Sequence, residues 1–181
     1  MNEKKENKQG FLEIIAIVAG VLGCFLFDVI LKAFSSNIHL AVETVWIALF
    51  AVSFGPIVGA IVGFTGIQFH AFLADEGIWI VYAVGMMFYG IILGRYSAKY
   101  GCKAGKFDGR SVLIFELVQS MASIVIYTLY FPLLNFVNYG GNIYSLIFDG
   151  IHKSLIICVL GGVIPIPVLF FNSKINTSRQ K

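Results

Sequence analysis

Residues 45–79 read VWIALFAVSFGPIVGAIVGFTGIQFHAFLADEGIW. Two apolar runs, 45–54 and 57–73, are separated by Gly55-Pro56, and Asp75-Glu76-Gly77 closes the second. Pro56 has no N–H and pushes the residue before it out of the α region, so the pair marks a turn. A water-soluble chain seldom keeps two such runs almost free of charge. Gly59, Gly63 and Gly66 in the second run let helix backbones approach closely in lipid. The stretch reads as a membrane hairpin. It turns on one side at Gly55-Pro56 and emerges on the other at Asp75-Glu76.

The rest of the chain agrees. Of 181 residues, 58% are hydrophobic and 13% charged, against about 25% charged in ordinary globular domains. Mean hydropathy is +0.85. A span needs roughly 20 apolar residues, so this length holds about six and leaves no room for a soluble catalytic domain. The expectation is an all-α integral membrane protein of six transmembrane helices. A polar tail (1–10) precedes a six-helix membrane domain (11–171), and a second tail (172–181) follows it. Within the domain, 11–33 is the first span, 34–43 a polar connection, and the hairpin supplies the second and third spans. Residues 78–96 form the fourth, 97–110 a basic loop, 111–134 the fifth, 135–144 a turn-rich loop, and 145–171 the sixth. The basic start followed by an apolar run also fits a signal peptide, but the run is too long for one.

Basic residues set the orientation. Lys4, Lys5 and Lys8 lie in the first tail; Arg95, Lys99, Lys103, Lys106 and Arg110 at the fourth-to-fifth loop; Lys174, Arg179 and Lys181 in the last tail. With six spans these three segments share one side, and the positive-inside rule makes that side cytoplasmic, in a bacterial plasma membrane. The net charge of +3 therefore says little about nucleic acid, and its distribution matters more; the expected surrounding is a lipid membrane, with no nucleic-acid partner.

Polar groups concentrate in the outer halves of the spans. Gln119, Ser123, Tyr127 and Tyr130 share one helical face, and Ser145, Asp149, His152 and Lys153 share another. Ionisable groups in lipid usually face a bundle interior or a water-filled cavity. The expectation is one outward cavity bordered by Asn37, Gln68, His70, Gln119, Ser123, Tyr127, Asp149 and Lys153, with Trp46, Trp79 and Tyr82 as apolar walls. The bland reading is an i,i+4 ion pair between Asp149 and Lys153 and an interfacial belt of tyrosines. In the first span Ala16, Gly20 and Cys24, with Ala19 and Gly23 beside them, form a small-xxx-small surface for another helix, inside the bundle or on a partner.

Enzymatic motifs are missing. Residues 101–106, GCKAGK, fall one residue short of a phosphate loop, and Phe107 stands where a Ser or Thr would hold magnesium. Cys24, Cys102 and Cys158 form no CxxC or Cys/His cluster, and His152 and Ser154 are too close in sequence to meet on one helical face. No cofactor or metal is expected. The alternatives to a partner-driven importer are a stand-alone solute carrier and a small intramembrane enzyme using His70, His152 or Glu116.

The run IALFAVSFGPIVGAIVGFTGIQFHAFLADEGIWIVYAVG resembles the hairpin and fourth helix of S components of energy-coupling factor (ECF) transporters, and GKFDGRSVLIFELVQSMASIVIYTLYFPLLNFV is similar to the fifth helix of their riboflavin-type group. The resemblance implies a six-helix protein that binds a vitamin or related heterocycle near the outer face: riboflavin, a pyridine vitamin or a pyrimidine precursor. It implies docking on a transmembrane coupling subunit with two cytoplasmic ATPase subunits, through Ala16, Ala19, Gly20 and Gly23. The protein itself would hydrolyse nothing.

Overall fold

The computed structural model describes residues 2–31, 36–73, 79–102 and 106–180, and every element among them is helical. In order these are α1 (Asn2–Leu31), α2 (Ser36–Phe54), α3 (Pro56–Leu73), α4 (Ile80–Arg95), α5 (Gly109–Ile124), a π-helical segment (Val125–Tyr130), α6 (Phe131–Tyr139), α7 (Ile143–Val163) and α8 (Pro165–Gln180). Gly55 interrupts α2 and α3 with φ 112°, a conformation glycine adopts without a Cβ clash, and Pro56 opens α3 where its missing N–H costs nothing.

Two helical stretches, Gly109–Tyr139 and Ile143–Ile175, are long and apolar enough to cross a membrane; 10–26, 42–54, 56–69 and 80–95 are shorter apolar helices. Large apolar side chains cover the outside, among them Ile57, Phe72, Leu113, Met121, Phe148 and Val159. Soluble monomers rarely expose that much contiguous apolar surface; lipid accommodates it. Small residues close the interior seams. A Cβ on Gly90 would strike the Gly59 backbone, one on Gly63 the Met86 carbonyl, and one on Gly94 the Pro56 backbone. Helices α3 and α4 therefore pack backbone to backbone.

Several boundaries differ from the sequence reading. Helix α2 starts at Ser36, so most of the polar connection is helical. The helix after the π segment runs on to Tyr139, through half of the stretch read as loop. Gly140 and Gly141, both at positive φ, then make the turn, and the Asn142 side chain caps α7 by accepting from the Tyr144 N–H at 3.0 Å. Both polar tails are helical where described: neither contains proline, and the single Gly10 is carried inside α1.

The described residues between α4 and α5, 96–102 and 106–108, form a cap on the bundle. Tyr100, Cys102 and Phe107 are buried, and Tyr100 meets Phe115 edge-on at 5.6 Å. Asp108 caps α5 by accepting from the Ser111 N–H and hydroxyl, each at 2.9 Å. These bonds hold the Asp108 carboxyl below its ordinary range.

Candidate functional site

The end of the bundle formed by α6 and the starts of α4 and α7 carries an aromatic cluster. Trp79 lies 5.2 Å from Tyr82, Tyr82 lies 4.3 Å from Phe131, and Phe131 meets Tyr127 edge-on at 5.1 Å. The Asn135 amide donates to the Tyr82 hydroxyl at 3.3 Å. Across from them Lys153 Nζ pairs with Asp149 Oδ2 at 2.6 Å, the lysine 25% and the aspartate 57% exposed.

Two spaces open among these groups. A cleft of about 460 Å³ is lined by Trp79, Ile80, Val81, Tyr82, Asn135, Asn138 and Tyr139. A socket of about 20 Å³ is lined by Tyr82, Tyr127, Phe131, Pro132, Asn135, Asp149 and Lys153, with Leu146 and Gly150. Tyr82 and Asn135 belong to both, so the socket adjoins the cleft. The cleft lies within the roughly 300–1,000 Å³ of small-molecule sites, and apolar walls with a few placed polar groups are their usual composition.

Of the residues named from sequence, Trp79, Tyr82, Tyr127, Asp149 and Lys153 meet here. Gln68 stands beside them, its Oε1 accepting from the Trp79 N–H at 3.2 Å; it lines a separate apolar groove on α3 with Phe64, Thr65, Phe69 and Phe72. Gln119 and Ser123 are fully buried deeper in the bundle. The Gln119 amide donates to the Ile157 carbonyl at 2.9 Å and to Ser123 Oγ at 3.5 Å, which ties α5 to α7. Trp46 lies away from the cleft and donates Nε1–H to the Gly20 carbonyl at 2.8 Å. Asn37 belongs to α2 and His70 to α3, and their side chains lie outside the described part of the structure.

The first-helix stripe splits. Ala16 is 3% exposed; a Cβ on Gly20 would meet Val62 and Phe50, and one on Gly23 would strike Trp46. These three face the bundle, while Ala19 lies on the outer surface beside Ile15, Val18 and Leu22, all exposed.

Sequence reasoning missed Phe131, Pro132, Asn135, Asn138 and Tyr139. The α-helical stripe through Gln119, Ser123 and Tyr127 points next to Tyr130, but the wider π turn lets Phe131 take the inward place at 4% exposure. Asn135 and Asn138/Tyr139 follow it by one and two turns. Among the described residues no group of three or more His, Cys, Asp or Glu could hold a metal.

The chain matches the family described as ECF-type riboflavin transporter, S component, over residues 12–174. It is 28% identical to a UPF0397 protein of Lactobacillus gasseri over 168 residues, covering 87% of this chain and 90% of that one. It is 29% identical to a UPF0397 protein of Streptococcus pneumoniae over 127 residues, or 68% and 70% of the two chains. A Lactobacillus johnsonii UPF0397 protein is 27% identical over 168 residues, again covering 87% and 90%. No solved structure matches the chain significantly.

Proposed function

From the premise that this chain belongs to the ECF-type riboflavin transporter S-component family, we infer that it is the high-affinity substrate-binding subunit of an ATP-driven importer for a vitamin or related heterocyclic micronutrient. S components are membrane-embedded substrate-binding subunits of transporters and not enzymes, and they work with a transmembrane component and ATPases. What is proposed for this chain is the cargo class, the affinity, six spans with both termini cytoplasmic, and delivery to a coupling subunit with two ATPases.

The observation that carries the cargo class is the cleft walled by Trp79, Tyr82 and Tyr139, with Asn135 and Asn138 at its edge. Aromatic faces stack on flat rings, and amides read ring edges. The distribution of basic residues supports the topology. The proposed docking face is the outer side of α1, at Ala19 with Ile15, Val18 and Leu22, since Ala16, Gly20 and Gly23 are occupied by internal packing.

The test has two parts. Native mass spectrometry of gently purified protein should find a heterocyclic small molecule bound. Reconstitution with a coupling subunit and its ATPases should give ATP-dependent uptake of that molecule. Uptake without the module would favour a stand-alone carrier, and turnover by the protein alone would favour an enzyme.

A further inference from the structure

The six-residue π segment Val125–Tyr130 ends where Phe131 donates its N–H to the Ile126 carbonyl, five residues back. The next such bond would run from residue 132 to Tyr127, but residue 132 is proline and has no N–H. The Tyr127 carbonyl therefore loses both helical donors: Phe131 is committed to Ile126, and Pro132 donates nothing. This carbonyl faces Gly150 on α7, where a Cβ would collide with it. Tyr127, Pro132 and Gly150 all line the socket, together with Asn135 and Lys153.

An unpaired carbonyl on a residue 1% exposed costs free energy, since a buried acceptor without a donor keeps its desolvation penalty. π turns occur frequently at functional sites, and this one frees a backbone acceptor. The socket's 20 Å³ holds about one small polar group, and it adjoins the ligand-sized cleft.

We propose that the Tyr127 carbonyl is a ligand-reading acceptor: it takes an N–H from the edge of the heterocycle whose ring lies in the Trp79–Tyr82 cleft. Asn135 and Lys153 flank it with N–H donors, so the matching edge is an N–H beside a carbonyl or ring nitrogen, as in cyclic imides, carboxamides and aminopyrimidines. The inference rests on the importer function proposed above and narrows its substrates to N–H-bearing heterocycles.

The test uses the full-length protein in detergent with riboflavin, nicotinamide and an aminopyrimidine, each beside its fully N-methylated derivative. Binding is read by calorimetry and thermal unfolding. The parent that binds should do so at least about tenfold more tightly than its methylated form, the loss expected for one buried hydrogen bond. Pro132→Ala, which supplies an N–H at residue 132, should stay folded and lose that discrimination. Equal binding of parent and methylated compound, or discrimination preserved in Pro132→Ala, overturns the contact at Tyr127 while leaving an importer of heterocycles standing. No binding by any compound removes the heterocycle importer itself, and the contact with it.

Discussion

Gln119 and Tyr127 lie on one face of the same helical stretch but do different work. Gln119 is at 0% exposure, and its bond to the Ile157 carbonyl joins two helices far from the cleft. Gln119→Leu should lower stability by about 1–3 kcal/mol, the cost of disturbing a buried polar contact, with ligand affinity falling less than stability; thermal unfolding beside calorimetry separates the two. The Tyr127 hydroxyl points to Met86 Sδ at 3.6 Å, a weak contact, and it is the backbone carbonyl that faces Gly150. Tyr127→Phe should change stability by less than about 1 kcal/mol and leave affinity nearly intact, whereas a tenfold loss of affinity would place the hydroxyl in the site. Lys153 is the more covered partner of its ion pair, and Asp149 is more than half exposed. Solvent screening limits the pair to at most about 1 kcal/mol. Lys153→Met should therefore unfold within a few degrees of the wild type while losing ligand. A large loss of stability with affinity unchanged would reduce the pair to a helix brace.

Elements are set by small residues and by one irregular turn. The α3–α4 seam leaves no room at Gly63 or Gly90, and Gly90→Val should destabilise by about 1–3 kcal/mol or more through overpacking, read as a lower unfolding temperature. Gly20→Leu and Gly23→Leu press on Val62 and Trp46, so stability, binding and uptake should fall together. Loss of uptake alone would assign these glycines to the coupling subunit. The hairpin turn was legible because Gly55-Pro56 has a local cause. The small-xxx-small repeat marked a close-packed surface, but spacing does not say which helix lies on it, and here that is α2 and α3. The start of α2 was missed because its first turn is polar, and hydropathy does not distinguish a polar helical turn from a loop. The Tyr127-to-Tyr130 step failed because a stripe drawn at 3.6 residues per turn assumes α geometry throughout. Pro132 was the available signal, since it removes a helical donor inside an otherwise continuous apolar run.

The molecule as a whole is a bundle whose outer surface is as apolar as much of its core, so its charges report which way it faces. Eleven of thirteen basic residues lie in the two tails and in or beside the α4–α5 segment, the asymmetry from which the cytoplasmic side is proposed. Cys102 sits in that segment but is a poor reporter. It is 1% exposed, and burial pushes its thiol up to about 12, so at neutral pH almost no thiolate is present to react. Native Cys102 should resist maleimide from either side and react only on unfolding. Burial likewise raises the neighbouring Tyr100 hydroxyl. Both groups hold their protons more tightly when folded, so their contribution to stability is present below their ordinary values, 9 for the thiol and 10 for the hydroxyl, and is lost as pH rises above these, for Cys102 through about 12. The reporters should be introduced on exposed positions instead. Lys99 lies on the surface of the cap, and Tyr144 is 81% exposed at the opposite end, at the start of α7. In a Cys102→Ser background, Lys99→Cys should be silent to an impermeant maleimide on intact cells and labelled in inverted vesicles, and Tyr144→Cys should behave the opposite way. An odd number of spans between the tails would leave one tail outside, so the same labelling at cysteines placed in residues 1–10 and 172–181 completes the test: both must follow Lys99. Labelling of either tail from outside would overturn the six-span arrangement, and with it the common cytoplasmic side on which a coupling subunit and its ATPases would have to dock.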